Sequence, residues 1–207
     1  MLWILDRHDN LKCILMNEGN GCPYDEPVYV ERLSGAEPFT FTMPGNVEES
    51  QHVVVGAQVM FKDLDGNYRL YTVVNLEESH KEGIVEKHVT ADPAYLELLD
   101  DILEDLRPYN RTPDYALNAA LSRSRWEVGI VEGSEIASTN FYYESALEAV
   151  RKVAENWEKE LRFRVEFEDN KITRRLVDLL YRRGADNGVR IEYGVDTDDI
   201  QRVVNMN

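Results

Sequence analysis

Residues 68–106 read YRLYTVVNLEESHKEGIVEKHVTADPAYLELLDDILEDL, and a change of period inside this stretch organises everything on either side of it. Tyr68, Leu70, Thr72, Val74 and Leu76 share one face of a period-2 strand. After the polar run Glu77 to Gly83, a second strand, Ile84 to Thr90, returns along the first. The period then becomes helical. Tyr95, Leu98, Leu99, Ile102, Leu103 and Leu106 fall at the spacing of one apolar helix face. Asp92 is placed to cap the first turn, Pro93 fits a first helical position that needs no N–H, and Pro108 stops the run, so a single helix is predicted between the two prolines.

Upstream of this stretch the signals are those of short strands and turns. Leu2 to Asp6 and Leu11 to Met16 flank the turn His8-Asp9-Asn10, and a loop rich in Gly, Asn and Pro runs from Asn17 to Pro27. Val28 to Leu33, Pro38 to Met43 and Val53 to Phe61 add three strands, the last containing a glycine. Asp65-Gly66 predicts a tight hairpin turn in which both central residues take positive φ. Seven short strands in the first ninety or so residues point to a small antiparallel β-barrel or sandwich.

Downstream, Thr112-Pro113-Asp114 opens a helix through Leu121, Trp126 to Val131 reads as a strand, and Gly133 to Asn140 reads as a loop. Ala146, Leu147, Val150, Val153, Ala154 and Trp157 form a second helical stripe. Leu161, Phe163, Val165 and Phe167 alternate with polar residues, and Asp169-Asn170 turns this strand back into Ile172 to Tyr181. This half is an α+β domain. The expected boundaries are 1–90 for the barrel-like part and 91–188 for the α+β part. Return strands are expected over 189–207, through Val189 to Tyr193 and Asp196 to Val204, in a module that continues further along the polypeptide.

Composition narrows the function classes. The chain has 207 residues, 43% of them hydrophobic, enough for a real core. Its 23 basic and 39 acidic residues give a formal charge of −16, which repels phosphate backbones and anionic membranes. Cys13 and Cys22 have no ligand partners at zinc spacing, which leaves room for one bridge between them but not for a disulfide framework. A reducing compartment at synthesis is the simpler reading. No signal h-region or membrane-length apolar run occurs, so a soluble protein made in the cytoplasm is expected.

No convergent chemical motif stands out. Asp63, Asp65 and Asn67 have part of a calcium-loop spacing, but the glycine is misplaced and Val74 stands where the twelfth-position glutamate belongs, which favours a plain turn. Asp196, Asp198 and Asp199 form an acidic cluster of the kind a chain this acidic produces by chance. His8, His52, His80 and His88 are scattered. No nucleophile motif, paired histidine ligand or phosphate loop is present, and Gly19-Asn20-Gly21 reads as a turn. Catalytic, metal and cofactor sites are therefore assigned to no residue. Arg174, Arg175, Arg182 and Arg183 are the one basic cluster, read either as partners of nearby acids or as an intersubunit contact. Exposed Trp3, Tyr24, Tyr29 or Tyr109 would be the stacking platforms of a glycan-binding module, and scattered carboxylates the means of a peptidoglycan hydrolase or endopeptidase. Trp126 and Trp157 belong to the apolar patterns and are expected in the core.

Several runs in order resemble a known family. They are the junction Tyr68 to Leu106; Trp126-Glu127-Val128-Gly129; Tyr143-Glu144-Ser145-Ala146-Leu147-Glu148-Ala149-Val150; and Asn170-Lys171-Ile172 through Arg175-Leu176-Val177-Asp178-Leu179 to Arg183-Gly184-Ala185-Asp186-Asn187-Gly188. Together they resemble the N-terminal hub module of siphophage tail-tip proteins, the tail-associated lysin or prophage endopeptidase tail family, similar in fold to the baseplate hub of contractile phages. The one departure is Asp196-Thr197, where the family has an Asn-Leu pair. The resemblance implies a homotrimeric ring at the virion tail tip that caps the tail tube, docks under the distal tail protein and meets the tape measure protein. DNA would pass through its channel without specific binding. It further implies that any lytic activity resides in C-terminal domains beyond this stretch, and that this part has no cofactor and no membrane insertion.

Overall fold

The long ribbon in the middle of the chain forms as its period requires, and the rest of the molecule is built on it. In the computed structural model, which describes residues 1–184 apart from 20, 33, 34 and 82, the strands upstream of the ribbon are Leu2–Leu5 (β1), Leu11–Leu15 (β2), Asp25–Val28 (β3), Phe39–Pro44 (β4) and Gln58–Lys62 (β5). The ribbon itself is Tyr68–Lys81 (β6) and Ile84–Pro93 (β7). Beyond it come Ile102–Leu106 (β8), the helix Pro113–Ala120 (α1), Glu127–Val131 (β9), Phe141–Ser145 (β10), the helix Ala146–Asn156 (α2), Glu160–Glu168 (β11) and Lys171–Leu180 (β12). The protein is a sheet-rich α+β fold.

Strands β3, β4, β7, β6, β5, β1 and β2 pair antiparallel in that order and curl, barrel-like, around an aromatic core. Phe39, Phe41, Phe61 and Tyr71 pack there with ring centroids 4.6 to 5.7 Å apart, sealed by Ile4, Leu15, Val59 and Val89. The sheet continues from β6 into β11 through the pair Val165–Tyr68, then into β12 and, in parallel, β9. Because side chains alternate across a strand, β1, β5 and β6 turn Leu5, Met60 and Leu70 to their other face. There they join a second core with Leu98, Leu103, Trp126, Phe141, Val150 and Trp157. These middle strands are buried on both faces, which is why β5 is apolar through Val59, Met60 and Phe61 with no alternation.

Helix α2 forms as its stripe predicts and starts on a capping box: the Ser145 hydroxyl accepts from the Glu148 N–H, and the Glu148 carboxylate accepts from the Ser145 N–H. Asp169 and Asn170 both take positive φ, 51° and 62°, as a two-residue hairpin turn demands.

Four expectations give way. The helix between Pro93 and Pro108 does not form. Asp92 stays in β7 and makes no cap, residues Ala94–Leu99 make a 3₁₀ turn, and Ile102–Leu106 become β8, paired with β10. The reason is that the apolar residues do not share a face: Leu99 and Ile102 are each 46% exposed while Leu98 and Leu103 are fully buried. Pairing with β10 satisfies the backbone amides after Asp101, whose carbonyl accepts from Ala146 N–H at 2.7 Å. The strand expected at Val28 to Leu33 lies earlier, at Asp25–Val28, because Tyr29 turns inward against Phe61 and Tyr71. The strand expected from Val53 begins only at Gln58, since Gly56 takes φ 86°, a left-handed conformation that ends the extended run before it. The turn at Asp65-Gly66 has positive φ at Gly66 alone and is closed by Asp63, whose carboxylate accepts the N–H groups of Asp65 and Asn67 at 3.0 and 2.8 Å. The return strands over 189–207, with Asp196, Asp198 and Asp199, lie outside the described residues.

Candidate functional site

The four arginines singled out in the sequence have different fates. Arg174 stands on the exposed side of β12, 46% exposed at its side chain, and pairs with Glu127 at 2.9 Å. Arg182 is exposed just past the strand. Arg183 is mostly covered and bonds the Glu31 carboxylate. Arg175 is turned inward, with 3% of its side chain exposed, and meets Asp9 of the β1–β2 turn at 2.5 Å and Glu97 of the 3₁₀ turn at 3.3 Å. Glu97 also holds Arg125 at 2.6 Å and accepts the Trp126 indole N–H at 2.6 Å. This seam joins residues from both ends of the chain, so it had no local sequence signal.

A second ionic cluster went unseen in the sequence. Asp178, fully buried on β12, accepts from Arg162 and Arg164 on β11, each at 2.8 Å, and from the Ile130 backbone N–H on β9 at 2.7 Å. Gly129 is there because of it: a Cβ on that residue would lie 2.0 Å from the Asp178 carboxylate oxygen. The Trp-Glu-Val-Gly run and the alternation of Arg162 and Arg164 were the available signals, but only the register Arg162–Asp178 connects them. Further along, Lys159 lies 3.4 Å over the Tyr181 ring and 3.2 Å from Glu135. The Tyr181 hydroxyl donates to Glu135 at 2.6 Å, and this bond, with the lysine, holds the carboxyl down at about 2.

Between the two cores opens a cleft of about 610 Å³. Its walls come from the loop after β3, from β6, the 3₁₀ turn, the end of α2 and β11. Tyr29, Tyr71 and Tyr95 line it, and burial pushes all three phenols above their usual range, so their hydroxyls stay protonated.

The remaining candidates separate cleanly. Asp63 is 3% exposed at its side chain and bonds Arg69 at 2.7 Å, the arrangement of a loop staple. Cys13 and Cys22 are both free thiols, and burial pushes Cys13 up to about 11. His88 lies half-exposed on β7, 3.6 Å from Glu86. Among the described residues, no group of three or more His, Cys, Asp or Glu side chains could hold a metal ion, and no helix is long and apolar enough to cross a membrane. Of the proposed stacking platforms, Trp3, Tyr24 and Tyr29 each pack edge-on against another ring, while Tyr109 is 72% exposed.

Comparison with known proteins places this architecture. Residues 95–174, from the 3₁₀ turn to β12, match the family model of the prophage endopeptidase tail domain. That stretch is similar to a prophage tail domain. No curated protein matches the sequence. Among solved structures, a prophage tail protein from Listeria monocytogenes is similar over 78% of this chain and 46% of its own length, with 15% identity and a TM-score of 0.56. A tail protein from Neisseria meningitidis covers 75% of this chain and 44% of its own, at 14% identity and TM-score 0.49. An Escherichia coli component of the type VI secretion system, described as structurally similar to T4 bacteriophage tail proteins, covers 72% and 42%, at 14% identity and TM-score 0.48. The likeness to the Listeria protein is one of fold, and this chain spans less than half the length of each of these structures.

Proposed function

We propose that this chain forms the first part of a tail-tip hub: a ring of three copies that caps the tail tube beneath the distal tail protein and carries host-recognition or wall-degrading domains further along the polypeptide. The observation that carries this reading is the match of residues 95–174 to the prophage endopeptidase tail domain, in a chain whose one sheet also runs through the first ninety residues. A sheet shared by both cores makes a stiff segment, which is what a ring under load requires. The division at 1–90, 91–188 and 189–207 is part of the same proposal, the last part returning towards the first.

In this reading Arg174 and Arg182, exposed at and beyond the end of β12, are the arginines available for contact with a neighbouring copy, whereas Arg175 serves the interior. The formal charge of −16 gives the ring an acidic wall that lets DNA pass without being held. Cleavage chemistry is assigned to the later domains.

Light scattering on this chain and on the full-length protein tests the ring. The expected mass for the full-length protein is three chains, reduced by the double substitution Arg174→Glu and Arg182→Glu. A full-length monomer at all concentrations would overturn the proposal. Clearing of host cell walls by this chain alone would overturn the assignment of lysis to later domains.

A further inference from the structure

The sheet that serves both cores is open where they join. Strand β11 meets β6 at the single pair Val165–Tyr68, and from Tyr71 onward β6 pairs with β7 instead. On its other side β11 is paired with β12 from Glu160 to Glu168. Among the described residues, the stretch of β11 from Glu160 to Arg164 thus has no strand beside it on the side of the cleft. Alternate residues of a strand turn their backbone groups to opposite edges. The Phe163 carbonyl faces this open edge, where it accepts from Arg69 of β6 at 2.7 Å, so Leu161 faces it as well. The N–H and C=O of Leu161 and the N–H of Phe163 have no backbone partner there among the described residues.

The cleft lies against this edge, and its wall there is apolar: Leu70, Pro93, Leu161, Phe163 and Val165. An open strand edge beside an apolar wall suits an extended chain, whose backbone continues the ladder while alternate side chains pack on the wall. The mouth of the cleft narrows the choice of occupant. Arg183 lines it, with its backbone N–H donating to the Glu160 carboxylate at 2.6 Å and its guanidinium bonded to Glu31 of the loop after β3. On leaving β12 the chain has therefore come round the start of β11 and reached the cleft by Arg183.

Residues 185–207 continue from this mouth, and their sequence fits the edge. Asn187-Gly188 is a turn pair. After it, Val189, Ile191 and Tyr193 alternate with Arg190 and Glu192, the pattern of a strand with one apolar face. A segment tethered to the mouth by so few residues meets the cleft at an effective concentration on the order of millimolar, which a separate partner would have to outcompete.

We propose that this cleft docks the chain's own continuation: residues 189–193 lie along the open edge of β11, with Val189, Ile191 and Tyr193 on the apolar wall and Arg190 and Glu192 turned away from it. The docked segment extends the sheet by one strand at the junction of the cores and ties the end of the α+β part to the first part. This deepens the return of 189–207 proposed above and does not depend on the ring.

The test is amide hydrogen exchange on the whole chain, followed by NMR. The Leu161 and Phe163 amides are expected to exchange at least about 100-fold more slowly than in an open chain. Ile191→Asp should speed both about tenfold or more, while Glu192→Ala, on the other side of the alternation, leaves them unchanged. The Arg162 and Arg164 amides, which face β12, should stay protected in both variants. Fast exchange at Leu161 and Phe163 in the unaltered chain overturns the proposal, as does an Ile191→Asp variant without effect or a Glu192→Ala variant with an equal one. A second measurement needs no disruptive change: a photoreactive benzophenone amino acid at position 193 is expected to cross-link, within one chain, to residues 68–71 or 160–165. Cross-links only elsewhere, or only between copies, also overturn it. Light scattering reads the ring separately, so a monomer with these cross-links sinks the ring alone, and a trimer without them sinks the docking alone.

Discussion

The two cores are held together differently, although one sheet serves both. The first, inside the curled strands, is a dry stack of Phe39, Phe41, Phe61 and Tyr71, and at its margin Lys87 bonds two backbone carbonyls, Ser50 O at 2.8 Å and Val53 O at 3.3 Å. The second packs just as tightly but is bordered by buried charge: Asp178 with Arg162 and Arg164, and Arg175 with Asp9 and Glu97. Apolar packing tolerates volume-preserving change and punishes cavities in proportion to their size. A buried ion network behaves otherwise, because removing one member strands the others without water. The first unit should therefore degrade gradually under mutation, the second abruptly.

The largest effect is expected at the network. Asp178→Ala leaves two arginines and the Ile130 N–H without their acceptor and should cost about 3–5 kcal/mol in urea denaturation. If the comparison is right, replacing Asp178, Arg162 and Arg164 together by apolar residues recovers most of that loss, and failure to recover would break it. Next comes Gly129→Ala. Its Cβ would meet the Asp178 carboxylate at 2.0 Å, and the expected cost is about 3 kcal/mol. In the Asp178→Ala background the same change should cost much less, a non-additivity measurable in a double-mutant cycle.

In the aromatic core, Phe41→Leu trims a ring that is 1% exposed and should cost about 2 kcal/mol, with no comparable dependence on a second site. Smaller still is Ser145→Ala, which removes the α2 capping box and should lower stability by about 1 kcal/mol. The smallest effect concerns acid. The folded-state pKa of Glu135 is depressed from 4.5 to about 2, so its stabilising contact with Tyr181 and Lys159 is present above the ordinary value and lost as pH falls through the folded one. Acid titration of the Tyr181 ring signal by NMR should show a transition near the bottom of that window, absent in Glu135→Gln.

Much of the architecture was legible from local pattern. The strands β1, β2, β4, β6, β7, β9, β11 and β12 and both α-helices stand close to where period and turn chemistry put them. Positive φ at Asp9, Asp169 and Asn170 falls on the expected turns. What was misread is instructive. Residues 95–106 carry a helical spacing, but that spacing is also compatible with a turn followed by a strand, and the choice was made by β10, a Phe-Tyr-Tyr-Glu-Ser segment whose own alternation is too weak to announce a strand. The sites were harder to see than the elements. Arg174 and Arg175 are neighbours in sequence, and only the packing of Asp9 and Glu97 against β12 sends one inward and leaves the other outside.

The chain on its own determined the elements whose signals are local: an amphipathic stripe and its caps for α2, alternation for the ribbon, Asp-Asn for the hairpin, and an order of segments that resembles phage tail proteins. These are settled within a few residues because backbone conformation and side-chain periodicity act at that range. Tertiary structure alone decided which strands share a sheet, which charges are buried together, and that a cleft lies between the cores. Those outcomes depend on contacts such as Asp9 with Arg175 and Arg69 with the Phe163 carbonyl, made between residues far apart in the chain, and no local pattern carries them.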